Sequence, residues 1–139
     1  MAQAGKKEEE IYTLRYLQQL YQNQYTSIVN EMNRSMEYLN ELNIAQKTIE
    51  STGELNGKGA LIGLGAGMYI TSSVKKINSI LVGIGGGYVV EKSIDEAKQF
   101  TVARIERVTA LFNRLVKSRN EVRNAAMDVS YRLDALSGK

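Results

Sequence analysis

The chain has 139 residues, with 18 Lys and Arg against 15 Asp and Glu for a formal net charge of +3, and 43% of it is hydrophobic. That size and balance fit one folded domain and exclude a chain disordered throughout; the charge is too mild to dictate a nucleic-acid partner. Cys, His, Pro and Trp do not occur, which excludes a zinc site, a disulfide, a thiol nucleophile and a His-based acid–base pair.

Residues 1–10 hold no apolar stretch of the kind a signal peptide needs. The two most apolar runs, 59–70 and 80–90, are shorter than the ~20 residues of a membrane-spanning helix. A cytoplasmic chain with no membrane partner is the expectation. Ten of the twelve glycines lie between Gly53 and Gly87 and divide a single domain, 1–139, into three parts.

The first part, about 8–52, has neither Gly nor Pro and predicts a long helix. With Ile11 at heptad position a, the a and d positions are Ile11, Leu14, Gln18, Tyr21, Tyr25, Ile28, Met32, Ser35, Leu39, Leu42, Gln46 and Ile49. Nine of these twelve are apolar or Tyr, the pattern of a coiled-coil seam.

The middle part, 53–92, carries a duplication. Leu61, Gly63, Gly65 and Gly67 recur twenty residues on as Leu81, Gly83, Gly85 and Gly87. β-Branched and aromatic residues bounded by glycine turns predict two β-hairpins, with strands near 60–64, 67–72, 79–84 and 87–91. Isolated hairpins are marginal in water and open strand edges invite pairing. The expected subunit-assembly surface is therefore Leu61, Ile62, Leu64, Met68, Tyr69 and Ile70 in the first hairpin, with Ile80, Leu81, Val82, Ile84, Tyr88, Val89 and Val90 in the second.

The last part, about 93–137, opens with Ser93-Ile94-Asp95-Glu96, a capping box. Its seam runs through Ile94, Ala97 and Thr101 into Ile105, Val108, Phe112, Leu115, Arg119, Val122, Ala126, Val129, Leu133 and Leu136. The predicted class is α+β, mainly α. It is a long antiparallel two-helix coiled coil with two inserted β-hairpins, four short strands, that join with those of other chains into a larger sheet or β-barrel hub. Antiparallel pairing would bring Ile11 near Leu133 and Ile49 near Ile94.

Outside the seam, the water-facing positions between Thr26 and Thr48 include only one apolar residue, Ile44. Between Tyr12 and Asn23, half are apolar. Tyr12, Tyr16, Leu17 and Leu20 therefore surround the start of the first helix with hydrophobic side chains, and Met127 and Tyr131 do so near the end of the second. Together with Ile11, Leu14, Leu133 and Leu136 they form a candidate binding tip, because a two-helix coil cannot bury both of its faces.

Other chemistry fits poorly. The glycines at 63, 65 and 67 run into strand rather than the helix that a dinucleotide loop needs. The basic residues of the last part spread over several heptad positions instead of forming one phosphate-tracking stripe. Carboxylates such as Glu37, Glu41, Asp128 and Asp134 have no pocket to tune them. No enzyme, no cofactor, no metal and no nucleic acid are expected.

The order helix, paired hairpins, helix, with Ala-Leu-Ile-Gly-Leu-Gly-Ala-Gly at 60–67 and Gly-Tyr-Val-Val-Glu-Lys-Ser-Ile-Asp-Glu-Ala at 87–97, resembles the prefoldin family, and its archaeal alpha type in particular. The likeness covers nearly the whole chain and is most specific at the strand-to-helix junction. Gly63 stands where that family usually has proline. The resemblance implies a hetero-hexamer of two alpha and four beta subunits, with hairpins in a double β-barrel and six projecting coils. It further implies that the tips hold non-native client proteins and deliver them to a group II chaperonin without ATP. A prefoldin-like structural or filament-forming scaffold subunit is the alternative.

Overall fold

Long stretches free of Gly and Pro become long helices. The computed structural model describes residues 2–138. Helix α1 spans Ala2–Glu50 and helix α3 spans Ile94–Leu136. Helix α1 begins at Ala2 rather than near residue 8: Ala, Gln, Lys and Glu favour helix, and the single Gly5 costs only ~1 kcal/mol. Helix α3 starts where its capping residue predicts. The Ser93 Oγ accepts a hydrogen bond from the Glu96 amide at 3.1 Å, satisfying one first-turn donor. Asp95 and Glu96 place negative charge on the positive end of the helix.

Between α1 and the first hairpin lies a single helical turn, α2, Thr52–Leu55, which the sequence reading did not anticipate. The Ser51 and Thr52 hydroxyls donate back to the carbonyls of Lys47 and Ile49, both at 2.9 Å. The Lys47 carbonyl also accepts the Ser51 amide at 3.1 Å, so these hydroxyls add to the bonding where α1 ends.

The chain forms two compact units. One comprises the residues up to Tyr38 and those from Val108 onward; the other is Leu39–Arg107. In the first unit, Leu14, Val129 and Leu133 form a buried cluster with Ile11, Leu17, Tyr21 and Leu136 against it. Nearby, Gln18 Nε2 donates to Ser130 Oγ at 3.4 Å. The early turns of α1 thus lie beside the late turns of α3, the antiparallel pairing expected, with Ile11 in the same cluster as Leu133. The heptad seam reappears as the buried and half-buried stripe of both helices. Gln18 and Tyr25 are exposed exceptions on α1, while Leu17 and Val29 join the stripe. A 3.6-residue turn drifts against a strict 3.5 repeat, so residues flanking a or d rotate into the seam.

In the second unit, β1 (Gly59–Gly65) pairs antiparallel with β2 (Met68–Ser73), and β3 (Ser79–Gly85) with β4 (Tyr88–Ser93). These are two separate two-stranded sheets, not one sheet of four. Their registers are equivalent: Gly59 faces Ser73 as Ser79 faces Ser93, and each ladder has one irregularity, between Gly63 and Gly65 or between Gly83 and Gly85. Both turns place two residues at positive φ, Ala66 and Gly67 at 53° and 77°, Gly86 and Gly87 at 61° and 80°, the requirement of the tight turns that match strand twist. Among the described residues, no helix is long and apolar enough to cross a membrane.

Candidate functional site

The side chains that could bind something are those the seam leaves outside. On α1, Tyr12, Tyr16 and Leu20 recur at intervals of four residues, so they stack along one ridge. On α3, Met127 and Tyr131 do the same. All five are exposed, Tyr12 to 76% and Tyr131 to 81%. The two ridges sit on turns whose seam residues touch each other, since Leu14 clusters with Val129 and Leu133. The local core is therefore complete without them. Burial of each such side chain against a ligand would contribute about 1.5–3 kcal/mol. An ion pair between Arg132 and Asp128, 3.3 Å apart and solvent-exposed, flanks Tyr131; pairs of that kind contribute ~1 kcal/mol at most.

The ten residues expected to form the tip divide in two. Tyr12, Tyr16, Leu20, Met127 and Tyr131 lie on the surface. Leu14 (5% exposed) and Leu133 are buried, and Ile11, Leu17 and Leu136 pack half-buried against them. That second group is the support of the ridge rather than its contact face. The reason is geometric: a and d positions point at the partner helix, and Leu17 follows by the drift noted above.

The hairpins present the second surface. Leu61, Ile62, Leu64, Met68, Tyr69 and Ile70 are all exposed, as are Leu81, Ile84, Tyr88, Val89 and Val90. Ile80 and Val82 differ: they are half-buried and line a cavity of about 220 Å³ with Leu42, Ile49 and Phe100. The second hairpin is thus turned with one face toward α1 and α3, while the equivalent Ile62 of the first stays 52% exposed.

Sequence reasoning missed one cluster here. Arg104 Nη2 donates to the Gly83 carbonyl at 3.0 Å. Its guanidinium lies 4.3 Å from the centre of the Phe100 ring, and Lys92 Nζ stands 5.3 Å from the same ring. Phe100 and Arg104 are four apart on α3, a spacing that signals a shared face. Nothing in the sequence points to their partner on β3.

Residues 21–139 match the model of the prefoldin subunit family. The chain belongs to the prefoldin subunit family. Its likeness to archaeal prefoldin alpha subunits is direct. It is 38% identical over 79 residues to prefoldin subunit alpha of Thermofilum pendens, a match covering 57% of this chain and 60% of that one. It is 27% identical over 134 residues to prefoldin subunit alpha of Methanocorpusculum labreanum, covering 93% and 88%. The fold is that of a filamentous prefoldin from Methanocaldococcus jannaschii solved by cryo-electron microscopy, with a TM-score of 0.72 at 19% identity over 85% of this chain and 98% of that one. The two antiparallel hairpins between long helices are thus the prefoldin architecture. Tyr12, Tyr16 and Leu20 precede the residues that the family model matches, so the α1 ridge of this prefoldin chain is read from its own exposure.

Proposed function

We propose that the chain is a subunit of an ATP-independent chaperone that holds unfolded proteins and delivers them to a group II chaperonin. The observation that carries this reading is the pair of exposed ridges, Tyr12, Tyr16 and Leu20 on α1 and Met127 and Tyr131 on α3, over a seam already closed by Leu14, Val129 and Leu133. Large apolar side chains left outside the core of their own fold are suited to a ligand. Met and Tyr without a shaped pocket suit many ligands of differing sequence.

Each ridge would bind an apolar segment weakly. Assembly through the hairpins, with two alpha-type and four beta-type subunits as the family resemblance implies, would place several ridges within reach of one client. Linked weak sites can exceed their single affinities by roughly 10²–10⁴-fold, which supplies retention without nucleotide. A scaffold or filament-forming role is the second reading, favoured by one observation: the two hairpins offer equivalent ladders, and like edges on one chain can continue head to tail as readily as they close.

The test is suppression of aggregation of a denatured protein, without nucleotide, by the assembled subunits. Replacing Tyr12, Tyr16, Leu20 and Tyr131 together by Ser removes most of that suppression while helix content and assembled mass stay unchanged. Equal protection by this variant and the parent would show that the ridge is not the holding surface.

A further inference from the structure

The chain passes from α2 into the first hairpin through Asn56-Gly57, and no other asparagine is followed by glycine. Such a pair is chemically labile wherever the backbone can turn. The glycine nitrogen, unhindered by a neighbouring Cβ, attacks the asparagine side-chain carbonyl carbon and expels ammonia. Both residues are open to water, yet the fold ties down each reacting group. The Gly57 amide donates to the Val74 carbonyl and the Val74 amide to the Lys58 carbonyl, each at 2.8 Å. On the side chain, Asn56 Oδ1 accepts the Ile77 amide at 2.8 Å. These bonds are the root of the first hairpin.

The backbone angle adds a second restraint. Closing the five-membered ring needs the Gly57 nitrogen eclipsed with the Asn56 Cβ. Asn56 has ψ 124°, which turns that nitrogen away from its own side chain and toward Val74. Rotating it into place carries the Gly57 N–H off the Val74 carbonyl, so the ring cannot close while the root is shut. The carbonyl also stabilises the protonated amide, whereas the attack needs the proton gone.

We infer that Asn56 is a site of spontaneous covalent modification, and that opening of the first hairpin's root sets its rate. In the open root, hydroxide takes the Gly57 amide proton. The nitrogen then bonds to Asn56 Cγ as the Cγ–Nδ2 bond breaks, and ammonia leaves with a proton from water. A further water opens the cyclic imide at either carbonyl, leaving aspartate or isoaspartate; nothing is oxidised or reduced. Both products add a negative charge. Isoaspartate also lengthens the main chain by a methylene and displaces the oxygen that holds the Ile77 amide. A root that has opened long enough to react therefore stays looser afterwards. The inference goes beyond the chaperone reading and does not depend on it.

The test follows the full chain in mildly alkaline buffer without urea, with urea below its unfolding transition, and with urea above it. Peptide mass spectrometry reads amide-to-acid conversion at Asn56, and nuclear magnetic resonance reads exchange of the Gly57 amide. The unfolded chain converts Asn56 at least about tenfold faster than the native one. Below the transition, conversion and Gly57 exchange rise together, because one opening releases both. Val74→Pro, which deletes the amide that donates to the Lys58 carbonyl, speeds conversion about fivefold in the folded chain. Should that variant not fold, the urea series decides alone. Chains with isoaspartate in place of Asn56, separated by chromatography, exchange the amides of 59–73 faster than the parent. Conversion as fast in the native chain as in the unfolded one would overturn the inference. So would Gly57 exchange that rises while conversion stays constant, or an unfolded chain that does not convert.

Discussion

Ala66 and Gly86 occupy the same place in two turns of the same shape, but only one of them is glycine. Ala66 has φ 53° and Gly86 φ 61°, and a Cβ in that region is strained by roughly 1 kcal/mol. A Cβ on Gly86 would meet only the Tyr88 ring at 3.5 Å, an ordinary contact, so the cost at either site is conformational. Ala66→Gly should therefore slow hydrogen exchange in the first hairpin and Gly86→Ala should quicken it in the second, each by about fivefold. No change in either would mean that the turns do not limit hairpin opening. The twenty-residue repeat announced both turns, but whether a non-glycine residue tolerates the left-handed position is visible only in the backbone. The ridge shows the same division at the scale of single side chains. Heptad spacing distinguished Tyr12 and Tyr16 from Leu14, yet it could not say that Leu17 turns inward. Leu14→Ala should cost about 2–4 kcal/mol in thermal unfolding. Tyr12→Ser should stay within about 0.5 kcal/mol of the parent, and the opposite order would put Tyr12 in the core.

The helices were legible because period and composition agree along their whole length, from Ile11 to Ile49 and from Ile94 to Leu136. The ends of α1 were less so. Its start extends through a segment with no seam residues, and the α2 turn depends on hydroxyl groups folding back on carbonyls, which no periodicity signals. Arg119 is the charged break in the α3 seam. It is half-buried, its Nη2 donates to Asn120 Oδ1 at 3.4 Å, and its Nε is buried with no partner. Leaving such a donor unsatisfied costs about 1–3 kcal/mol. Arg119→Met should therefore raise the melting temperature by about 3–5 °C, whereas Arg123→Met, at an exposed position, should leave it nearly unchanged. A lower melting temperature for Arg119→Met would show that the guanidinium stabilises this layer of the coil. The hairpins were legible as strands and turns, but their difference was not, because Arg104 reaches the Gly83 carbonyl, and a backbone acceptor leaves no mark in the sequence.

In the proposed chaperone the two kinds of surface of the whole molecule have separate tasks: the hairpins join chains, and the ridges of Tyr12, Tyr16 and Leu20 and of Met127 and Tyr131 remain open for a client. The hairpins expose apolar side chains on both strands, among them Leu61, Met68, Leu81 and Tyr88, and unpaired strand edges persist in solution only when covered or blocked. A lone chain therefore satisfies neither surface, and a scaffold and a chaperone subunit would be built from the same parts. What separates them is whether the assembly closes. The most direct measurement is native mass spectrometry of the chain alone and mixed with a beta-type prefoldin subunit. One closed particle of defined mass, containing both subunits and forming only in the mixture, is the expected result. A series of open-ended polymers of this chain, unchanged when the second subunit is added, would contradict it.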